Sequence, residues 1–263
     1  MDLGLKGRAA LVCGASQGLG QAIAHALARE GARVAINSRS AEKLTRVRDA
    51  LVAETGAEVA IAPGDLSSPE GVKAAVEAAR DAFGEIHVLV TNTGGPPSGP
   101  FESHPPEVWS HAIAQNLESV VNLVRAVLPE MKERKWGRIV NVTSISVKQP
   151  VAGLILSNSL RAAVTGFAKT VANEAAPFNV TVNNVLPGYT RTERLVDLGT
   201  AAAARTGSTL EEVYGGWTKE IPMGRLGEPD ELAALTAFLC SEQAGYITGQ
   251  SVAVDGGWIK GLF

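Results

Sequence analysis

The chain has 263 residues and a net charge of −3, with 45% of its residues hydrophobic and 19% charged. That length accommodates a large α/β sheet, and the near-balanced charge gives no attraction to nucleic acid or to an anionic membrane. Apolar runs stop well short of the roughly 20 residues of a membrane span, and Met1-Asp2-Leu3-Gly4-Leu5-Lys6 has neither the basic nor the apolar stretch of a signal peptide.

Residues 9–13 form an apolar run that meets Gly14, Gly18 and Gly20, after which Ile23, Ala24, Leu27 and Ala28 recur at helical spacing. The pattern predicts a strand, a tight turn and a helix. Such a turn lets the backbone approach a pyrophosphate closely, and the helix N-terminus offers free N–H groups and a positive dipole end. Taken alone, the glycine triplet suits an ordinary strand-to-helix turn equally well. Further strands are predicted at 34–37, 58–62, 86–90, 138–142, 180–186 and 251–254, and helices at 41–55, 69–83, 154–176 and 228–239, with one long helix or a helix pair over 105–135. Strands rich in Val, Ile and Ala that alternate with helices predict a parallel sheet covered on both faces. No internal repeat or linker interrupts the pattern. The one compositional break, 190–223, holds an alanine run and paired glycines, and is expected to be a functional lid or a mobile element.

Cys13 and Cys240 read as small buried hydrophobes of a protein in a reducing cytoplasm. His25, His87, His104 and His111 show no metal-ligand spacing, so no metal site is expected.

Several ordered segments together resemble the short-chain dehydrogenase/reductase family, especially its bacterial 3-oxoacyl-carrier-protein reductase branch, over essentially the whole chain. The family's glycine turn corresponds to Gly14, Ser16, Gln17, Gly18, Leu19 and Gly20, with Cys13 in place of threonine. Its acidic-apolar pair beside the adenine corresponds to Asp65-Leu66, and its N-N-A-G segment to Thr91-Asn92-Thr93-Gly94. Its helical asparagine corresponds to Asn116, its catalytic serine to Ser144, and its nicotinamide-flanking segment to Pro187, Gly188, Thr190 and Thr192. The run Tyr246-Ile247-Thr248-Gly249-Gln250, followed by Asp255-Gly256-Gly257, also resembles the family. The resemblance implies an α/β fold: one Rossmann-like doubly wound domain over 1–263, with helices on both faces of the sheet and 190–223 covering the substrate. It further implies a homotetramer acting on a small carbonyl or alcohol, acyl-carrier-linked in that branch. Gly257-Trp258-Ile259 and Leu262-Phe263 are candidates for an apolar tail buried between subunits.

Charge argues for the cofactor. The second strand runs into Ser38-Arg39, with no acid before Glu42 to receive a ribose 2′-hydroxyl. Arg39 can fork onto a 2′-phosphate and Ser38 can donate another hydrogen bond, which favours NADP(H) over NAD(H). The alternative is a solvated arginine in a turn.

The family's Y-x-x-x-K signature is missing. At the family's spacing after Ser144 the chain reads Ser157-Asn158-Ser159-Leu160-Arg161, giving an atypical catalytic tetrad of Asn116, Ser144, Ser157 and Arg161. A phenol near pKa 10 is a far better proton donor than an aliphatic hydroxyl. Arg161 keeps the charge and can hold ribose hydroxyls, but cannot act as the acid. Lys148, Tyr189, or water held by Ser144 and Asn116, are the candidate substitutes. Lys148 reads equally well as a surface lysine and Tyr189 as a packed aromatic. Two classes of function therefore remain open: an oxidoreductase with an altered proton donor, and a dinucleotide-binding protein with little reductase activity.

Overall fold

In the computed structural model, which describes residues 1–262, the short apolar runs become strands β1 (Ala9–Val12), β2 (Arg33–Ile36), β3 (Val59–Ile61), β4 (Val88–Thr91), β5 (Gly137–Val142), β6 (Val180–Pro187) and β7 (Ser251–Val254). They pair in parallel in the order β3-β2-β1-β4-β5-β6-β7. Strand side chains alternate between faces, so each strand feeds two cores. Val12, Ile36, Val90 and Val140 pack with α1 (Gly18–Arg29), α2 (Ala41–Thr55) and α9 (Pro229–Leu239). Leu11, Ala35, Leu89 and Ile139 pack with α3 (Pro69–Phe83), α5 (Ser119–Arg134) and α6 (Ile155–Ala175). Ile23 and Leu27 of α1 are fully buried, each contributing about 1.5–3 kcal/mol by leaving water. The strand order reverses between β1 and β4, and the crevice above their C-terminal ends is where such sheets bind ligands.

Local chemistry sets the helix boundaries. Ser40 caps α2 by accepting from the Lys43 N–H at 3.2 Å, and Gly56 ends that helix in the left-handed region. Ser68 caps α3, which starts at Pro69. The segment predicted over 105–135 is a helix pair joined without a loop: α4 (Pro106–Ile113) passes through a π-helical turn, Ala114–Glu118, into α5.

The segment 190–223, expected to be a functional lid or a mobile element, is mostly helical. It forms α7 (Glu193–Thr206), capped by Thr192, and α8 (Leu210–Glu220), which opens with a reciprocal Thr209–Glu212 capping box. Gly215 and Gly216 each cost a helix about 1 kcal/mol. The capping box and the packing of Trp217 against Tyr189 and Tyr214 offset that cost. Within the expected apolar tail, Trp258 is 5% exposed, meets Tyr189 edge-on, and donates Nε1–H to Glu220. Leu262 is exposed, and Phe263 lies outside the described residues. Among the described residues no helix is long and apolar enough to cross a membrane.

Candidate active site

The β1–α1 turn is built around close backbone approach. Gly14 and Gly18 adopt φ of +59° and +57°, and a Cβ on Gly20 would lie 2.2 Å from the Gly14 carbonyl oxygen. Asn92 closes the turn from β4, its Nδ2 donating to Gly14 O at 3.3 Å. The α1 N-terminus, with Gln17 at the cap, has neither a side-chain cap nor an acid in its first turn. Its amides therefore stay free for an anion, and the cradle has the backbone and electrostatics that fit a dinucleotide pyrophosphate.

Two adjoining cavities share Gly14, Gln17, Asn92, Thr93 and Gly94. The outer one, of about 350 Å³, is also walled by Ser16, Ser38, Arg39, Lys43, Asp65 and Leu66. Arg39 and Lys43 are exposed, and Lys43 Nζ reaches Gln17 Oε1 at 3.3 Å. Asn37, where an acid would receive a ribose hydroxyl, is buried and donates its amide to Ala62 O and Gly64 O. Asp65 accepts from the Ser67 N–H and hydroxyl, and these bonds hold its carboxyl below the usual carboxylate range. This end thus presents two cations and two serine hydroxyls (Ser38 and Ser40), which suits a phosphate-bearing ribose.

The inner cavity, of about 260 Å³, brings Gly18, Leu19, Ser144, Ser157, Arg161, Pro187, Gly188, Thr190 and Thr192 together. Gly20 lies buried behind the turn. Ser144 Oγ accepts from the Ser146 N–H at 3.1 Å, which leaves its own hydrogen for a ligand in the cavity. Arg161, 5% exposed, donates Nη1–H to Val142 O at 3.2 Å and Nη2–H to Thr93 O at 3.4 Å. Burial, and then the neighbouring Arg194, bring its guanidinium down to about 10, so it remains cationic at neutral pH. Asn116 is fully buried in the π-helical turn. It meets the site through Thr93, whose hydroxyl donates to Asn116 Oδ1 at 3.3 Å, while Asn116 Nδ2 donates to Ala112 O.

Two proposed proton donors stand elsewhere. Lys148 is exposed at the end of the 3-10 turn Ile145–Val147, outside the residues that line the inner cavity. Tyr189 stacks on Trp217 at 4.7 Å, and burial, then Glu220, push its phenol up to about 12. It lines a neighbouring cavity of about 380 Å³, with Leu154, Leu198, Trp217 and Trp258. The sequence reading missed Lys43, Thr93 and Arg194 as lining residues. Lys43 had a usable signal, as a cation in the first turn of the helix that follows Ser38-Arg39. Arg194 had none, because its helix was not foreseen. Among the described residues no three His, Cys, Asp or Glu side chains cluster as metal ligands.

A family model described as enoyl-(acyl carrier protein) reductase matches residues 14–259. The chain is also 36% identical over 255 residues to 3-oxoacyl-(acyl-carrier-protein) reductase FabG of Vibrio cholerae, covering 97% of this chain and 98% of that one. The chain belongs to the short-chain dehydrogenase/reductase family. Another relative, the NADPH-dependent reductase BacG of Bacillus subtilis, is 31% identical over 256 residues, covering 97% and 99% of the two chains. L-sorbose reductase of Gluconobacter frateurii, solved with NADPH and L-sorbose, superposes with a TM-score of 0.94 at 33% identity over the full length of both chains. Within this short-chain dehydrogenase/reductase fold, the inner cavity holds Ser157 and Arg161 where the resemblance led one to expect a tyrosine and a lysine.

Proposed function

We propose that the chain is a single-domain, NADP(H)-dependent oxidoreductase that interconverts a carbonyl and an alcohol, resembling 3-oxoacyl-carrier-protein reductases but with an atypical active site. The observation that carries this reading is continuity: Ser144, Ser157 and Arg161 share a cavity with the glycine turn, and that cavity runs on to Arg39 and Lys43. Relatives whose names or structure titles include NADPH support the same cofactor. The proposed site comprises Ser144, Ser157 and Arg161 around the reacting carbon, with Asn116 behind them, bonded to Thr93. Gly14, Ser16, Gln17, Gly18, Leu19, Gly20, Ser38, Arg39, Asp65, Leu66, Asn92, Gly94, Pro187, Gly188, Thr190 and Thr192 surround the cofactor. A cytoplasmic homotetramer belongs to the same proposal, the former supported by two free, buried cysteines.

A nicotinamide held along Pro187, Gly188, Thr190 and Thr192 would supply or accept the hydride. Ser144 donates its free hydroxyl hydrogen to the substrate oxygen. Arg161, held by two backbone carbonyls, stabilises the negative charge that develops there without giving up a proton. Ser157 relays a proton from water, a weaker donor than a phenol. Turnover is therefore expected to be slow.

A specific observation favours a second reading, in which the chain binds the dinucleotide and turns over little: no phenol faces the inner cavity, and two Arg161 hydrogen bonds are committed to backbone. Fluorescence titration with NADPH, then NADPH oxidation across a carbonyl panel, separates the two. Turnover by the native protein supports the first reading. Tight binding without turnover, with activity appearing in Ser157→Tyr/Arg161→Lys, supports the second. Absence of NADPH binding overturns both.

A further inference from the structure

The inner cavity carries a second guanidinium that the reaction outlined above does not use. Arg194, in the first turn of α7, lines the cavity together with Arg161 of α6. Arg161 bonds to the carbonyl of Thr93, and Arg194 to the carbonyl of Pro96, so one short loop anchors both side chains. The loop backbone is cleared for this arrangement: a Cβ on Gly95 would lie 2.6 Å from Arg194 Nε.

Neither arginine forms an ion pair among the described residues. Burial lowers the affinity of Arg194 for its proton, and Asp197 offsets this in part without pairing with it. Glu193 is the one carboxylate on the lining, exposed and beside Gly18. Arg161 is buried, and its charge is opposed by Arg194. Placing two unpaired cations in one half-enclosed space is unfavourable unless an anion joins them. Two planar guanidinium forks match the two coplanar oxygens of a carboxylate. The adjoining cavity, which shares Leu154 and Leu198 with this one and adds Trp217 and Trp258 beside Arg205 and Glu220, offers an apolar wall for a substituent.

We infer that Arg161 and Arg194 clamp a substrate carboxylate beside the hydroxyls of Ser144 and Ser157, and that the substrate is a free oxo acid, or its hydroxy acid, carrying an apolar chain. The inference deepens the carbonyl–alcohol reading and rests on it for the word substrate; the clamp itself is testable by binding alone.

The test is calorimetric titration of the full chain, with NADP+ present, using 2-oxohexanoate and 3-oxohexanoate, each against its methyl ester. At least one acid is expected to bind roughly 100-fold more tightly than its ester, the loss expected when charge-assisted hydrogen bonds go unmade. Arg194→Met is expected to reduce that preference by about tenfold or more. Equal affinities for acid and ester in the native protein would overturn the clamp. So would an Arg194→Met variant that keeps the preference but weakens NADPH binding, since the arginine would then serve a cofactor phosphate. If Arg194→Met melts well below the native protein, Arg194→Lys, which keeps the charge but loses the fork, carries the same comparison. Arg194-dependent acid binding without NADPH oxidation leaves the clamp standing and removes the reductase reading. Equal oxidation of NADPH by acid and ester does the reverse.

Discussion

Two glycine-to-alanine substitutions are expected to act in opposite directions. At Gly20 the new Cβ would meet Gly14 O at 2.2 Å, Gly14 C at 2.7 Å and Asn92 Nδ2 at 2.8 Å. The turn must open by roughly 1 Å to reach van der Waals separation. Overpacking of this kind costs about 1–3 kcal/mol, and each kcal/mol lowers the melting temperature of a chain this size by about 2–4 °C. Displaced amides also lose their hydrogen bonds to a bound phosphate. One such charge-assisted bond is worth about 1.5–3 kcal/mol, so NADPH affinity should fall roughly 10- to 150-fold. At Gly166, inside α6 and exposed, the new Cβ meets nothing within 4 Å. Relief of backbone entropy there should stabilise the fold by about 0.5–1 kcal/mol and leave NADPH binding alone. Circular-dichroism melts and NADPH fluorescence titrations on both variants provide the readouts. A folded Gly20→Ala protein that binds NADPH as tightly as the native chain would refute the assignment of this turn to the cofactor.

Replacing Arg39 and Lys43 together by alanine should weaken NADPH roughly 10- to 100-fold, leave NADH unchanged, and matter less at high salt, because both side chains are exposed; equal losses for the two cofactors would contradict the 2′-phosphate assignment. Lys148→Met combined with Tyr189→Phe should leave kcat within about twofold of native, since the lysine lies outside the cavity and the phenol is pushed up to about 12; a tenfold fall would restore one of them as the proton donor. His87 is buried, accepts from the Ala9 N–H through Nδ1, and is held down to about 4 mainly by burial. Between that value and the ordinary 6.5 the unfolded chain binds a proton that the folded chain does not, so this contribution to stability is present above about pH 6.5 and is lost as pH falls toward 4. His87→Asn should therefore flatten the fall in urea midpoint between pH 7 and pH 5, and an unchanged slope would show that His87 does not carry it.

The sequence by itself determined the sheet. Continuous apolar runs such as those through Leu11-Val12 and Leu89-Val90, buried on both faces, and helical spacing in α1 are local patterns, and they placed nearly every strand and helix outside 190–223. It also located the glycine turn, Ser144, and the exchange of tyrosine and lysine for Ser157 and Arg161, because those depend on residue identity and spacing. The tertiary structure decided which of these groups face the same space. Lys148 follows Ser144 closely in the chain, yet the 3-10 turn between them carries it to the surface. Asn116 meets the site through Thr93, a contact between the π-helical turn and a strand-end segment that no local pattern encodes. The largest difference lies in 190–223, where alanines and glycines masked two helices held by the Thr192 and Thr209 caps and by aromatic packing beneath Trp217. The first of those helices brings Arg194 to Arg161, far away in sequence, across the loop at Thr93 and Pro96. Charge and burial at that meeting point are properties of the folded chain, because only packing sets the buried Arg161 beside the part-buried Arg194.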